Sequence, residues 1–302
     1  MSPEEGNVCA TPRSRRAVLG ASALLAAAGL ALISACSTGS AGPAATAPAE
    51  PRVAAVPVMT DGRGRLPLRD YTLTVQQVVM IDRARLTLID RCIQRFGFRY
   101  RLRLPDQPDD GGLGRRYGVL DPQQAAERGY AHVSPEQPVD PPLTEVQRTA
   151  LFGGGQPTID GVAVPPGGCL DDANRVLQAG LPDGADLDLG QKLMVESFAR
   201  SRRDTRVLTV VGRWSHCMAD AGYRYPTPLD PLGDPAFTKH PEAGIPVARA
   251  DVRCKQETNL TGIWFAVESA YQKASIEQNA AALRRTRQAL DTRLTFAADV
   301  PS

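Results

Sequence analysis

The sequence predicts an all-α body made of two disulfide-stapled helical hairpins, with long Pro/Gly-rich loops and a long C-terminal helix. Three observations predict it. Apolar residues recur at helical spacing over runs near 72–96, 190–221 and 252–296. A helix stop is written twice, as Cys92-Ile93-Gln94-Arg95-Phe96-Gly97-Phe98-Arg99-Tyr100 and as Cys217-Met218-Ala219-Asp220-Ala221-Gly222-Tyr223-Arg224-Tyr225. Four cysteines beyond the N-terminal segment fall two to each half of the chain. Apolar residues make up 42% and aromatics only 5%, so the core rests on Leu, Val, Ile and Ala. With 27 Gly and 25 Pro, much of the chain is loop. The 35 Lys and Arg against 33 Asp and Glu leave a net charge of +2, which argues against a nucleic-acid partner.

The chain opens with an address. Arg13, Arg15 and Arg16 precede an uncharged apolar run from Ala17 to Ala35. Ile33-Ser34-Ala35-Cys36 ends that run and resembles the lipobox of bacterial lipoproteins, in which the cysteine is acylated and the bond before it is cut. Residues 1–35 are therefore read as a signal peptide and Cys36 as the lipidated first residue of the mature chain. Ser14-Arg15-Arg16-Ala17-Val18-Leu19 also resembles a twin-arginine export motif. Two or more acyl chains anchor stably, at about 0.8 kcal/mol per buried CH₂. Residues 36–67 begin with an Ala/Pro-rich stretch that shows no hydrophobic period, and they read as a disordered tether.

The globular body is expected over 68–302, with pseudo-repeat halves at about 70–180 and 188–297. In the duplicated segment the glycine sits one residue past the helix cap, where a left-handed backbone carries no Cβ penalty, and the next aromatic clasps the last turn. That pairs Phe98 with Ile93 and Tyr223 with Met218. Helix termination explains the repeat. A second reading makes Arg99 with Tyr100 and Arg224 with Tyr225 a partner-contacting surface.

Each half then runs through a loop to a second cysteine, Cys169 at the start of a short helix and Cys254 near the start of a long one. Four cysteines allow three connectivities. The repeat favours Cys92–Cys169 and Cys217–Cys254, each stabilising by up to about 4–4.5 kcal/mol. Zinc is the rival for four thiolates, but no C-x-x-C or Cys/His pair at ligand spacing occurs, so neither metal nor cofactor is expected.

Three segments carry a family likeness: Cys217-Met218 with Gly222-Tyr223, Ala250-Asp251-Val252-Arg253-Cys254-Lys255, and Tyr117-Gly118 with Gly129-Tyr130. Over roughly residues 70–297 the chain resembles a family of uncharacterised secreted lipoproteins from actinobacteria. The resemblance implies location and an all-helical, disulfide-bearing body, and no activity.

Among the remaining elements, Asp121 caps a short helix that opens at Pro122, and Leu143–Leu151 adds a turn or two. Residues 101–120 and 131–168 read as loops. Asp183, Asp186 and Asp188 precede a helix and are read as capping groups rather than a calcium loop. Arg284, Arg285 and Arg287 form a basic cluster on the C-terminal helix, either a solvated face or a contact for anionic lipid or wall polymer. Glu196, Glu257 and Glu268 are placed on helical solvent faces. No phosphate-binding loop, dinucleotide fingerprint, zinc-protease motif or nucleophile elbow occurs.

These features favour a lipid-anchored, extracytoplasmic binding or accessory protein without a catalytic residue. Its partners would be the membrane, through the anchor, and an envelope protein or polymer. The alternatives are a hydrolase of envelope polymer, which needs a nucleophile or paired carboxylates, and a transporter's solute-binding lipoprotein, which needs two α/β lobes.

Overall fold

The described residues of the computed structural model, 49–99, 113, 115–131 and 142–301, form ten α-helices, three short 3-10 helices and one two-stranded hairpin joined by loops. Cys36 and Tyr100 lie outside them. In chain order the elements are α1 (Val75–Gln94), α2 (Pro122–Arg128), α3 (Glu145–Phe152), β1 (Thr158–Ile159), β2 (Val162–Ala163), α4 (Gly168–Leu177) and α5 (Leu189–Ser201). There follow α6 (Thr205–Asp220), α7 (Pro235–Lys239), α8 (Gly244–Thr258), α9 (Leu260–Gln278) and α10 (Ala280–Ala298).

Local chemistry sets the boundaries. α1 begins in a capping box: the Gln77 N–H donates to Thr74 Oγ1 at 3.2 Å, and the Thr74 N–H donates to Gln77 Oε1 at 2.9 Å. Both duplicated stops use a positive-φ glycine, Gly97 at +77° and Gly222 at +91°. At the second stop the Gly222 N–H reaches Ala219 O at 3.0 Å and the Tyr223 N–H reaches Met218 O at 2.8 Å, the two bonds of a Schellman motif. Tyr223 packs against the cluster that holds Met218, and Phe98 against the cluster that holds Ile93.

Two of the long helical runs are broken. The expected 190–221 helix is α5 and α6, separated at Asp204, whose side chain accepts the Arg206 N–H at 3.0 Å and starts a new helix. The expected C-terminal helix over 252–296 is α8, α9 and α10. Asn259 turns left-handed at φ +50° between the first two, and Asn279 interrupts the last two. Each break re-aims the apolar stripe, which is why the sequence period drifts. Within the expected loop 131–168, Asp160 and Gly161 take φ of +47° and +80° and form the two-residue turn between β1 and β2.

Both disulfides, Cys92–Cys169 and Cys217–Cys254, are present, with Cα–Cα distances of 5.6 and 5.7 Å. Their helix pairs differ in polarity. Cys92 near the end of α1 meets Cys169 at the start of α4, while Leu177 at the end of α4 clusters with Ile81 and Ala84, so this pair is antiparallel as expected. In the second staple Trp214 meets Asp251 and Cys217 meets Cys254, so the contacts advance in the same sense along α6 and α8. Cys254 lies in the closing turns of α8, not near the start of a helix, because α8 begins at Gly244.

The main core gathers Tyr117, Val207, Val210, Trp214, Met218, Leu260, Trp264 and Val267. Full burial of an apolar side chain contributes roughly 1.5–3 kcal/mol. α9 packs against α5, α6, α8 and α10, and α2 lies on α8. A separate cluster around Ile89, Ile93, Phe96, Leu151 and Ala173 surrounds the Cys92–Cys169 bridge.

The segment from Glu50 to Leu66, read from sequence as tether, is laid across the body. Glu50 meets Thr205, Pro51 O accepts from Arg206, Pro57 O accepts from Asn259 Nδ2, and Thr60 O accepts from Gln256. Met59, Leu66 and Leu68 are buried. It shows no hydrophobic period, and most of its anchoring is through backbone carbonyls, which no side-chain pattern announces.

Candidate functional site

The Tyr117-Gly118 and Gly129-Tyr130 dipeptides form two buried clamps. Arg116 Nε donates to both Glu268 carboxylate oxygens at 2.9 Å, and Arg116 Nη2 donates to Met194 O at 2.9 Å. The Tyr117 hydroxyl donates to Glu268 Oε2 at 2.8 Å. Gln272 donates to Glu268 Oε1 at 2.8 Å and accepts the Leu68 N–H at 2.9 Å. One carboxylate thus ties the 115–120 loop, α5, α9 and the end of the N-terminal strap together.

The second clamp centres on Asp251. It accepts from Tyr130 Oη at 3.1 Å, Trp214 Nε1 at 2.9 Å and Lys255 Nζ at 2.8 Å, and Lys255 Nζ also donates to Val119 O at 2.9 Å. Glycine is required beside both tyrosines. At Gly118 a Cβ would stand 2.5 Å from Lys255 Nζ, and at Gly129 it would stand 2.8 Å from the Gly244 backbone.

Electrostatics follow from burial. Desolvation, reinforced by the facing carboxylates, pushes the Tyr117 and Tyr130 phenols far above their ordinary range, so both stay protonated and donate. Burial raises the Asp251 carboxyl and lowers the Lys255 ammonium, and each partner opposes the other's shift. Glu268 is fully buried rather than on a solvent face, whereas Glu196 pairs with Arg200 and Glu257 with Arg253 at the surface. No sequence period reveals this, because Arg116 and Glu268 are 152 positions apart.

The basic positions are dispersed. Arg99 and Arg224 are exposed, each just past a helix stop. Tyr225 is half-buried, and its hydroxyl donates to Asp234 at 2.8 Å; burial and that carboxylate push its phenol up to about 12. Arg284 and Arg287 line an open groove of about 650 Å³ with Tyr71, Gln288, Asp291, Thr292 and Thr295. Within it Arg287 pairs with Asp291 and donates to Asp70 O at 3.1 Å, while Arg284 and Arg285 are exposed. Tyr71 precedes α1 and Arg99 follows it, so the length of that helix, roughly 30 Å at 1.5 Å per residue, separates the groove from Arg99. Arg99 and the basic residues of α10 therefore do not converge on one site.

Cys217, Cys254 and Glu257 place ligand-type atoms within 4.8 Å of one another. Both sulfurs are joined in the disulfide, which leaves no thiolate there for a metal. Asp186 pairs with Lys192 at 2.6 Å and accepts the Asp188 N–H at 3.0 Å, but the expected capping is not made: Asp188 stands at the N-cap of α5 without a side-chain cap hydrogen bond. No helix among the described residues is long and apolar enough to cross a membrane. No protein-family model, curated protein or solved structure matches this chain.

Proposed function

We propose that the chain is a lipid-anchored lipoprotein on the extracytoplasmic face of the cell membrane, where it serves as a non-catalytic binding or accessory protein. The observation that carries this reading is the pair of disulfides, because such bridges persist in oxidising compartments outside the cytosol. Ile33-Ser34-Ala35-Cys36 behind an arginine-led apolar run supports the anchor. The resemblance to secreted actinobacterial lipoproteins points the same way. The accessory role is supported by where the buried ionisable groups are spent. Glu268, Asp251, Lys255 and Asp204 each join separate helices or loops through their own hydrogen bonds. Exposed Arg99 and Arg224 are then the groups free to meet a partner.

The test has two parts. Labelling cells with a fatty acid should mark the wild-type protein, and Cys36→Ser should abolish the label; a label that persists in the variant places the anchor elsewhere. Crosslinking in intact cells should capture a partner that Arg224→Ala weakens, and that change leaves the Tyr225–Asp234 bond in place. A purified chain that cleaves envelope polymer, and loses that activity on a single carboxylate substitution, would replace this reading with a hydrolase.

A further inference from the structure

The N-terminal strap fixes where the chain leaves the body on its way to Cys36. Glu50 Oε1 accepts the Thr205 N–H at 2.7 Å, Glu50 Oε2 accepts the Thr205 hydroxyl at 2.8 Å, and Pro51 O accepts from Arg206 at 3.0 Å. The junction therefore lies at the α5–α6 turn. Arg52, Arg202 and Arg203 surround it, all exposed, and their side chains make no hydrogen bond or ion pair among the described residues. The nearby carboxylates are already engaged: Glu50 on Thr205, Asp204 on Arg206, and Glu196 beside Arg200. Asp204 and Glu196 answer Arg206 and Arg200, while Glu50, bound to neutral Thr205, keeps its own negative charge, so the three arginines still leave the junction with a positive excess. Leu208, 56% exposed, stands one turn on from Thr205 on the same helix face and adds an apolar side chain.

We propose that Arg52, Arg202, Arg203 and Leu208 form a membrane-contact face that rests on anionic phospholipid head groups. Its placement in the cell rests on the reading of Cys36 as the lipidated residue; its chemistry does not. Fully extended, the run from Cys36 to Ala49 reaches at most about 45 Å, and it leads directly into Glu50. An anchor at Cys36 thus tethers the α5–α6 turn within at most that reach of the bilayer. Negative surface potential falls off within about 10 Å at moderate salt, so arginines held there gain most from it. The cluster at Arg284 and Arg285 lies on α10, which takes no part in the contacts of Glu50 and Pro51 where the lead from Cys36 arrives.

The experiment uses the unlipidated mature chain, beginning at residue 36 with Cys36→Ser, which retains every described residue. It is sedimented with vesicles of phosphatidylcholine alone and of phosphatidylcholine mixed with phosphatidylglycerol. Binding is expected on the mixed vesicles only, weakening as salt rises. Arg→Gln at 52, 202 or 203 should each lower the partition coefficient about fivefold, and the triple variant roughly a hundredfold, with helical signal and disulfides unchanged. Arg284→Gln with Arg285→Gln should leave binding as it was.

Two results would overturn the proposal: no preference for phosphatidylglycerol, or loss through Arg284 and Arg285 instead. A failure of the lipoprotein reading itself shows separately, as an absent acyl label on the wild-type protein in cells.

Discussion

Glu50 caps a helix that begins 155 positions after it: both of its carboxylate oxygens are taken by Thr205, at 2.7 and 2.8 Å. The contact supplies an acceptor for an otherwise unpaired first-turn N–H and sets a negative charge at the positive end of α6. It also fixes the start of the strap. We expect Glu50→Ala to destabilise by about 1 kcal/mol, the usual range for a lost cap. Limited proteolysis should then cut between Glu50 and Thr60 before any site in α6. Cleavage there at the wild-type rate would mean that the strap is held without Glu50.

Arg116 and Glu268 form the buried pair whose loss should cost most. Glu268 is fully buried, and Arg116 is largely so, with its guanidinium 4.6 Å from the centroid of the Phe198 ring. Removing one partner strands the other charge, so Arg116→Ala and Glu268→Gln should each destabilise by about 3–5 kcal/mol in urea unfolding. The double variant should cost less than the sum of the two. Additive losses would show that the pair is not coupled.

Local punctuation was legible in the sequence and long-range partnership was not. Gly97 and Gly222 announced their helix stops because a left-handed residue followed by an aromatic is a local signal. The cysteine pairing followed from the same repeat. Thr74-x-x-Gln77 at the start of α1 and Asp160-Gly161 in the hairpin are equally local signals, although 131–168 reads as loop and neither pair stands out in the apolar pattern. The breaks at Asp204 and Asn259 looked like ordinary polar residues inside apolar runs. Glu268 looked like a surface carboxylate because its partners, Arg116 and Tyr117, come from a loop with no period. The candidate basic positions were readable as residues, but their separation depends on how α1 and α10 stack.

Asp204 should make stability depend on acid. Burial alone raises its carboxyl, but hydrogen bonds from Arg206 and from Tyr271 outweigh this and hold it below the ordinary value. A depressed folded-state pKa means that the stabilisation is complete above the unfolded value, near pH 4, and is lost as pH falls through the folded value. Wild-type stability should therefore decline below about pH 4 more steeply than that of Asp204→Asn, which keeps an acceptor but has no charge to lose. Matching slopes in denaturant titrations across pH 2.5–5 (roughly the carboxylate range) would remove Asp204 from the account.

Gly222 and Gly129 separate two reasons for glycine. Both have positive φ, +91° and +57°. Around Gly222 a Cβ meets nothing within 4 Å, so Gly222→Ala should cost only the backbone penalty, about 1–2 kcal/mol. At Gly129 the Cβ would stand 2.8 Å from Gly244 C and Ile245 N, where α2 lies on α8. Gly129→Ala should lose a further 1–3 kcal/mol or so from forced separation. Equal losses in thermal unfolding would show that the close approach relaxes freely.

The two disulfides should fail differently when removed. Cys92–Cys169 closes a separation of 77 residues and Cys217–Cys254 one of 37, so chain entropy alone makes the first the stronger staple, by about 4.5 against 3.8 kcal/mol. Their surroundings add to the contrast. Cys217 and Cys254 join helices already held by Trp214–Asp251 and by the main core. Cys92 and Cys169 sit in a small separate cluster with Ile89, Ile93, Phe96, Leu151 and Ala173. Cys217→Ala with Cys254→Ala should therefore shift one cooperative transition to lower denaturant. Cys92→Ala with Cys169→Ala should uncouple the end of α1, α3 and α4, so that their amides exchange with solvent at lower denaturant than those of α6 and α9. A single, uniform shift of all amides in both variants would show that the small cluster is held by contacts other than its bridge.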